Sequence, residues 1–154
     1  MAFQRLEELL SEQIGRLVSD DVRLGTIITA ELSFRNRIGL LCSLYLYRRE
    51  LAERPESLKG LLSKLHQAEE SRNTVFHSYW VKSPECGKLT RYKYTAKSRK
   101  GFVHHSEDIT PDHIEAIAAE IWSVADEFLA HFEAAFPASN DRKLGLINQA
   151  NAPG

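Results

Sequence analysis

Apolar residues recur every three or four positions along most of this chain, which is the spacing of one face of an α-helix. The pattern predicts a first helix over residues 3–18 and a long second helix from Asp21 to about Leu51, with a bend near Ser33 or Gly39. The Ser-Asp-Asp sequence that separates the two stripes offers an N-cap for the second helix. The first third of the chain is therefore predicted to be helical.

Two further helices are predicted from the same spacing. The third begins at Pro55, a residue favoured in the first turn of a helix, and its apolar stripe runs on to Trp80. The last helix begins with Thr110 as its cap and Pro111 in its first turn, and its stripe continues to Phe136. The segment Lys-Ser-Pro-Glu-Cys-Gly-Lys is expected to end the third helix.

Between these two helices the apolar period changes from helical to alternating. Residues alternate along 91–95, turn at 97–101 and return through Phe102 and Val103. Alternation on both sides of a turn indicates a β-hairpin.

The predicted elements fit a single compact domain. We expect an all-α fold, an up-down bundle of four to five helices over residues 1–136, with a basic β-hairpin inserted at 88–106. The polar segment 137–154 has no apolar face to bury, and we expect it to be a flexible tail.

Composition narrows the class of protein further. The chain has 154 residues, of which 43% are hydrophobic and 27% charged, as in an ordinary globular protein. Its formal net charge is −1, so any attraction for nucleic acid must come from an uneven distribution of charge. The charged amino-terminal segment is unlike a signal peptide, and no apolar run reaches membrane-spanning length, so we expect a cytoplasmic protein without membrane contact.

The cysteines and histidines do not indicate a metal or a cofactor. Cys42 lies in an apolar run and is predicted to be a core residue, whereas Cys86 lies in a predicted loop. No pair of Cys or His residues has the spacing of a metal site. His104 and His105 are adjacent, so on a strand they would face opposite ways.

The third predicted helix carries an unusual set of polar residues in Ala-Glu-Glu-Ser-Arg-Asn-Thr-Val-Phe-His-Ser-Tyr-Trp. Arg72 falls in the middle of the apolar stripe, where an isolated charge would cost several kcal/mol. Glu31 occupies a similar position on the second helix. We hypothesise that Glu31 holds Arg72 across the helix interface. A purely structural buried ion pair would explain the same pattern.

Asn73 and His77 are four residues apart and so share a face of the helix. On an ideal helix His77 lies about 140° away from Arg72. The two would meet only if two copies of the helix faced each other, or if the helix were broken within the motif.

The sequence Arg-Asn-Thr-Val-Phe-His resembles the RX4–6H signature of the HEPN superfamily (higher eukaryotes and prokaryotes nucleotide-binding), which consists of helical bundles from bacterial defence and toxin systems. The continuation His-Ser-Tyr-Trp resembles the RNxxxHSxW form of the signature. The segment Arg-Tyr-Lys-Tyr-Thr-Ala-Lys-Ser-Arg-Lys-Gly resembles the region downstream of the signature in such proteins. The inserted hairpin departs from the plain bundle of that family.

The resemblance implies a metal-independent RNA endonuclease whose site is assembled from two protomers, in a defence or toxin–antitoxin setting. It implies Arg72 and His77 as the catalytic pair, with Asn73 beside them, and a homodimer with RNA as its substrate and an antitoxin or other protein as a possible partner. The residue types suit this chemistry. An imidazole with a pKa near ~6.5 transfers protons at neutral pH, and a guanidinium donates a fork of hydrogen bonds to phosphate.

The predicted hairpin carries the candidate RNA-binding residues. Between Gly87 and Ser106 there are six Lys or Arg residues and no acid. Basic groups follow phosphates, while Tyr92 and Tyr94, which project from the opposite face, could stack on bases or pack on the bundle. A solvated basic hairpin that resists aggregation is the alternative. The residues expected to bind RNA are Arg91, Lys93, Lys97, Arg99 and Lys100.

Two other functional classes are open. One is a non-catalytic HEPN-like module that binds RNA, a nucleotide or a protein partner. The other is a bundle in which the polar residues only fix the helix register.

Overall fold

The computed structural model describes residues 2–19, 21–85, 87–97 and 101–137, with the side chains of 95–97 left out of the description. This part of the chain forms five helices and a small antiparallel sheet. The elements are α1 (Ala2–Ser19), α2 (Val22–Thr29), α3 (Phe34–Arg48), α4 (Glu56–Phe76), β1 (Tyr79–Lys82), β2 (Leu89–Lys97), β3 (Gly101–Ile109) and α5 (Pro111–Ala135).

The expected helical fold with a hairpin is confirmed at this level, but the fold is not strictly all-α. The sheet has three strands in the order β1-β2-β3, because a short strand that sequence alternation did not reveal precedes the hairpin. Our expectations for Cys86 and for the tail beyond Pro137 concern residues outside the described part of the chain.

The predicted second helix is divided into two helices, and the division falls at Ser33, one of the two positions near which a bend was expected. α2 ends at Thr29, and α3 begins after Ser33, whose hydroxyl accepts a hydrogen bond from the Asn36 amide at 3.3 Å. Serine at an N-cap favours a helix start because it satisfies one of the unpaired amides of the first turn. The apolar stripe is therefore shared by two helices, and Glu31 lies exposed in the turn between them.

α1 and α2 cross at very short range because small residues line their contact. A β-carbon added to Gly15 would come within 2.8 Å of the Gly25 amide nitrogen, which is closer than real β-carbons approach such an atom. Beside the glycines, the hydroxyls of Ser11 and Thr29 lie 2.7 Å apart and hydrogen bond to each other. Both glycines are thus required by the close approach of two backbones.

The hydrophobic core lies between α1, α3, α4 and α5, and α1 contacts each of the other helices. Cys42 is buried in it, which confirms the expectation for that residue. No helix in the described ranges combines the length and apolar character needed to cross a membrane. The core side chains that are fully buried include Leu6, Leu10, Ile14, Leu41, Leu58, Leu65 and Phe128.

The sheet extends from the carboxyl end of α4. β2 pairs with β3 over nine residues, from Leu89 opposite Ile109 to Lys97 opposite Gly101, which confirms the predicted hairpin and lengthens it. β1 pairs with the other edge of β2, with Tyr79 opposite Tyr92 and Trp80 opposite Arg91. The expectation that α4 would continue through Trp80 was wrong, since the helix ends at Phe76.

Candidate functional site

The Arg-Asn-Thr-Val-Phe-His motif lies at the carboxyl end of α4, with His77 as the C-cap residue. The His77 amide donates to the Asn73 carbonyl at 3.0 Å. The Ser78 hydroxyl donates to the Thr74 carbonyl at 2.6 Å, and the Trp80 indole donates to the Val75 carbonyl at 2.9 Å. Carbonyls of the last turn have no partner further along the helix, so these side chains let the helix stop at this point.

Arg72 is half-buried and held in one orientation by its neighbours. Its Nη1 donates to the Asn73 side-chain oxygen at 2.9 Å. Its Cζ lies 5.2 Å from the centre of the Phe3 ring and 5.0 Å from the centre of the Phe76 ring. Aromatic faces attract a cation without neutralising it. Arg72 therefore keeps its full charge in a fixed position.

The predicted ion pair between Glu31 and Arg72 was wrong. Within the described residues no carboxylate forms an ion pair with Arg72. The break between α2 and α3 removes Glu31 from the apolar face and leaves it exposed. The rings of Phe3 and Phe76 occupy the place in which a carboxylate was expected.

His77 is exposed, and its imidazole forms no hydrogen bond or ion pair in the part of the chain that is described. The Asn73 side chain binds Arg72 rather than His77. Because the His77 amide still follows the helical path, its side chain leaves the helix about 140° from that of Arg72. A single chain thus brings Arg72 and Asn73 together but not His77.

A groove of about 590 Å³ lies between α3 and α4 on the face that carries Asn73 and His77. His66 and Glu70 line this groove. They precede Asn73 and His77, respectively, by seven residues, so all four side chains share one face of α4. Arg35 of α3 and Arg54 of the loop before α4 also line the groove, and the Arg35 Nε lies 3.9 Å from the Glu69 carboxylate. Sequence reasoning missed this groove, because it depends on the separation of the two helices.

Arg91 was expected to bind RNA, and the structure contradicts this. The side chain is buried, with 6% of the residue exposed, and its Nη2 lies 2.7 Å from the Glu107 carboxylate. Its Nη1 also approaches the Thr74 carbonyl and the Ser78 hydroxyl, each at 3.4 Å. A guanidinium that is buried and neutralised cannot meet a phosphate. Glu107, the acid that neutralises Arg91, comes directly after Ser106, the last residue of the basic segment that contains no acid.

The other basic residues of the hairpin are placed only in part. Lys93 is half-buried and lies opposite His105 in the register. The backbone of Lys97 ends β2, whereas its side chain and all of Arg99 and Lys100 lie outside the description. At the base of the hairpin, a hydrogen bond from Lys88 to Glu85 raises the pKa of Lys88.

The tyrosines of β2 point away from α4. Tyr94 is 55% exposed and stacks on His104 of β3, with ring centres 5.2 Å apart. Tyr92 stacks on the other side of His104 at 5.6 Å, and Phe102 stacks on Tyr94 at 5.7 Å. Of the two roles expected for the tyrosines, packing on the bundle is therefore excluded for Tyr94.

Among the described residues, no three His, Cys, Asp or Glu side chains come together as a metal site would require. A comparison of the chain with family models, curated proteins and solved structures gave no match.

Proposed function

We propose that this protein is a HEPN-type ribonuclease that acts as a homodimer and cleaves RNA through attack of the 2′-hydroxyl. The observation that carries the proposal is the state of Arg72. Two aromatic rings and Asn73 fix this guanidinium, no carboxylate in the described chain neutralises it, and the exposed His77 stands at the same helix end. The defence or toxin–antitoxin setting is part of the proposal and is based on the sequence resemblance alone.

The chemistry assigned to these groups is a transesterification. His77 removes the proton of the 2′-hydroxyl, the 2′-oxygen forms a bond to phosphorus, and the bond from phosphorus to the 5′-oxygen breaks. The proton carried by the imidazolium then passes to the departing 5′-oxygen. Arg72 stabilises the negative charge that builds on the phosphate oxygens. The products are a 2′,3′-cyclic phosphate and a 5′-hydroxyl.

A second protomer is part of the proposal because of the direction of the two side chains. Arg72 and His77 leave the same helix about 140° apart, so a single copy directs them to different places. Two copies related by a two-fold axis could direct Arg72 of one toward His77 of the other. The exposed Phe76, with 62% of the residue accessible beside the motif, is consistent with a contact between protomers.

The activity is tested by incubating RNA with the purified protein in excess EDTA. We expect RNA cleavage by the wild-type protein to persist in EDTA. In His77→Ala the rate of cleavage should fall about a hundredfold or more, because a positioned acid–base group contributes at least that much. Arg72→Lys keeps the positive charge but loses the fork of hydrogen bonds that a guanidinium donates to phosphate. We expect the rate of cleavage to fall about tenfold or more. His113→Ala, an exposed histidine at the start of α5, is the matched control and should retain activity.

The composite site is tested by mixing two inactive variants. When Arg72→Ala and His77→Ala proteins exchange protomers at random, about half of the dimers are mixed and each holds one intact site, so activity returns to about a quarter of wild type. If both groups acted within one protomer, mixing would restore nothing. A protein that stays monomeric at the assay concentration would also contradict the composite site.

One observation favours a second candidate, a non-catalytic module that binds RNA. No group in the described chain orients the His77 imidazole, whereas catalytic bases are usually held by a hydrogen bond. RNA binding with no cleavage in wild-type protein, under conditions where the dimer is intact, would support this second candidate instead.

A further inference from the structure

The three-stranded sheet has one face that carries a continuous file of aromatic rings. Tyr92, His104, Tyr94 and Phe102 follow one another with neighbouring ring centres 5.2 to 5.7 Å apart. Tyr79 of β1 lies opposite Tyr92 in the register, so its side chain leaves the same face. We call these five residues the aromatic face.

Three of these rings are exposed where a structural role would require them to be covered. Phe102 is 70% exposed, Tyr79 66% and Tyr94 55%. The side chains that join the sheet to α4, Trp80 and Arg91, lie on the opposite side. Single exposed apolar residues are common on protein surfaces, but a contiguous patch of this kind marks a site of interaction.

The charge of the surrounding segment favours nucleic acid as the ligand. Arg91 is neutralised by Glu107 and Lys88 is bonded to Glu85. Lys97, Arg99 and Lys100 are close together in the sequence where β2 gives way to β3, and no acid lies between Gly87 and Ser106, so this end of the hairpin attracts phosphates. Aromatic rings stack on the π-face of any base, and a basic surface that presents such rings binds single strands without regard to sequence. A duplex cannot use this surface, because its bases are already stacked on each other.

We propose that the aromatic face stacks the unpaired bases of single-stranded RNA. This inference rests on the proposed function, since it names the form of RNA that reaches the motif. Tyr79 is only two residues from His77, so the file of rings runs from the hairpin toward the end of α4. A strand stacked along it would bring its backbone to the carboxyl end of that helix.

The test measures binding without cleavage, by fluorescence anisotropy with a labelled 2′-O-methyl oligonucleotide that has no 2′-hydroxyl to attack. Wild-type protein should bind the single strand at least about tenfold more tightly than the same sequence annealed to its complement. Tyr94→Ala should weaken binding of the single strand by about fivefold to a hundredfold, the usual effect of removing one stacked ring. Tyr94→Phe keeps the ring and should bind as wild type does.

Tyr47→Ala is the matched control, because Tyr47 is 78% exposed on α3 and is not part of the aromatic face. Equal binding of single strand and duplex, or an equal loss in the Tyr47 and Tyr94 variants, would overturn the inference. So would dissociation of the dimer by Tyr94→Ala in sedimentation, because the face would then be a contact between subunits. The oligonucleotide cannot be cleaved, so this assay reports binding alone. If the wild-type protein binds it as expected but cleaves no ordinary RNA, the proposed ribonuclease activity fails and the inference about the aromatic face stands.

Discussion

Two arginines of this chain show how surroundings decide the use of a charge. Arg72 is enclosed by two aromatic rings and an amide oxygen, which leave its charge available to a ligand. Arg91 is buried against Glu107 and two oxygens at the end of α4, so its charge is used within the fold. The residue type is the same, and the partner determines the role.

We therefore predict that Arg91 contributes to stability and Arg72 to activity. Arg91→Met removes a guanidinium whose carboxylate and carbonyl partners lose their hydrogen bonds, and should lower the free energy of unfolding by about 1–3 kcal/mol. Lys93 lies on the same strand and the same face but has no such partners among the described residues. Lys93→Met should therefore change the free energy of unfolding by less than about 0.5 kcal/mol. Chemical denaturation measures both. An Arg91 variant that kept its stability and lost RNA affinity would reverse the assignment.

At the scale of elements, the crossing of α1 and α2 sets the first half of the fold. Gly15 and Gly25 allow the two backbones to approach, and the hydroxyls of Ser11 and Thr29 hydrogen bond beside them. Because α2 is held against α1 in this way, the chain must turn before α3 begins at Phe34. That turn is what removes Glu31 from the neighbourhood of Arg72.

Gly25→Ala should separate the two helices. The added methyl group would meet the backbone of α1, which cannot move aside as a flexible side chain can, and we expect a loss of about 1–3 kcal/mol in the free energy of unfolding.

Gly60→Ala is the matched control for that substitution. Gly60 also lies within a helix, α4, but an added β-carbon would meet nothing within 4 Å. Alanine has the higher helix propensity, so this variant should gain up to about 1 kcal/mol. Equal effects at the two glycines would show that helix propensity, and not the close crossing, governs position 25.

At the scale of the whole molecule, the sheet is joined to the helices at one end. Within the described residues, its side-chain hydrogen bonds to the helices run from Trp80 and Arg91 to the carboxyl end of α4. In the same part of the chain, no helix packs broadly on either face of the sheet, whereas α1, α4 and α5 share a core. An element with few buried contacts opens at a lower free energy than the core does.

Hydrogen exchange should separate these two parts of the molecule. We expect the amides of β2 and β3, although paired over nine residues, to exchange well before those of α1 and α5 in a time course read by mass spectrometry. RNA that binds the aromatic face should slow exchange in the sheet more than in α1. If the amides of the sheet and of the helices exchanged at the same rate, the domain would open as a single unit, and the sheet would not open more easily than the core.

The local features of the fold could be predicted from the sequence. The start of α5 after Thr110, the hairpin strands and the burial of Cys42 are each predicted by patterns among neighbouring residues, and the structure agrees with them. The short strand β1 could not be predicted in this way, because four residues carry too little alternation to distinguish a strand from a helix end.

The sequence by itself determined most of the helical segments and the hairpin, and it put Arg72, Asn73 and His77 together in one helix, because periodicity and capping are properties of neighbouring residues. Only the tertiary structure decided that Arg72 faces Phe3 and Phe76 rather than Glu31, that Arg91 is neutralised, and that the rings of the sheet point outward. Those outcomes depend on which distant segments meet when the chain is packed, and no spacing along the chain contains that information.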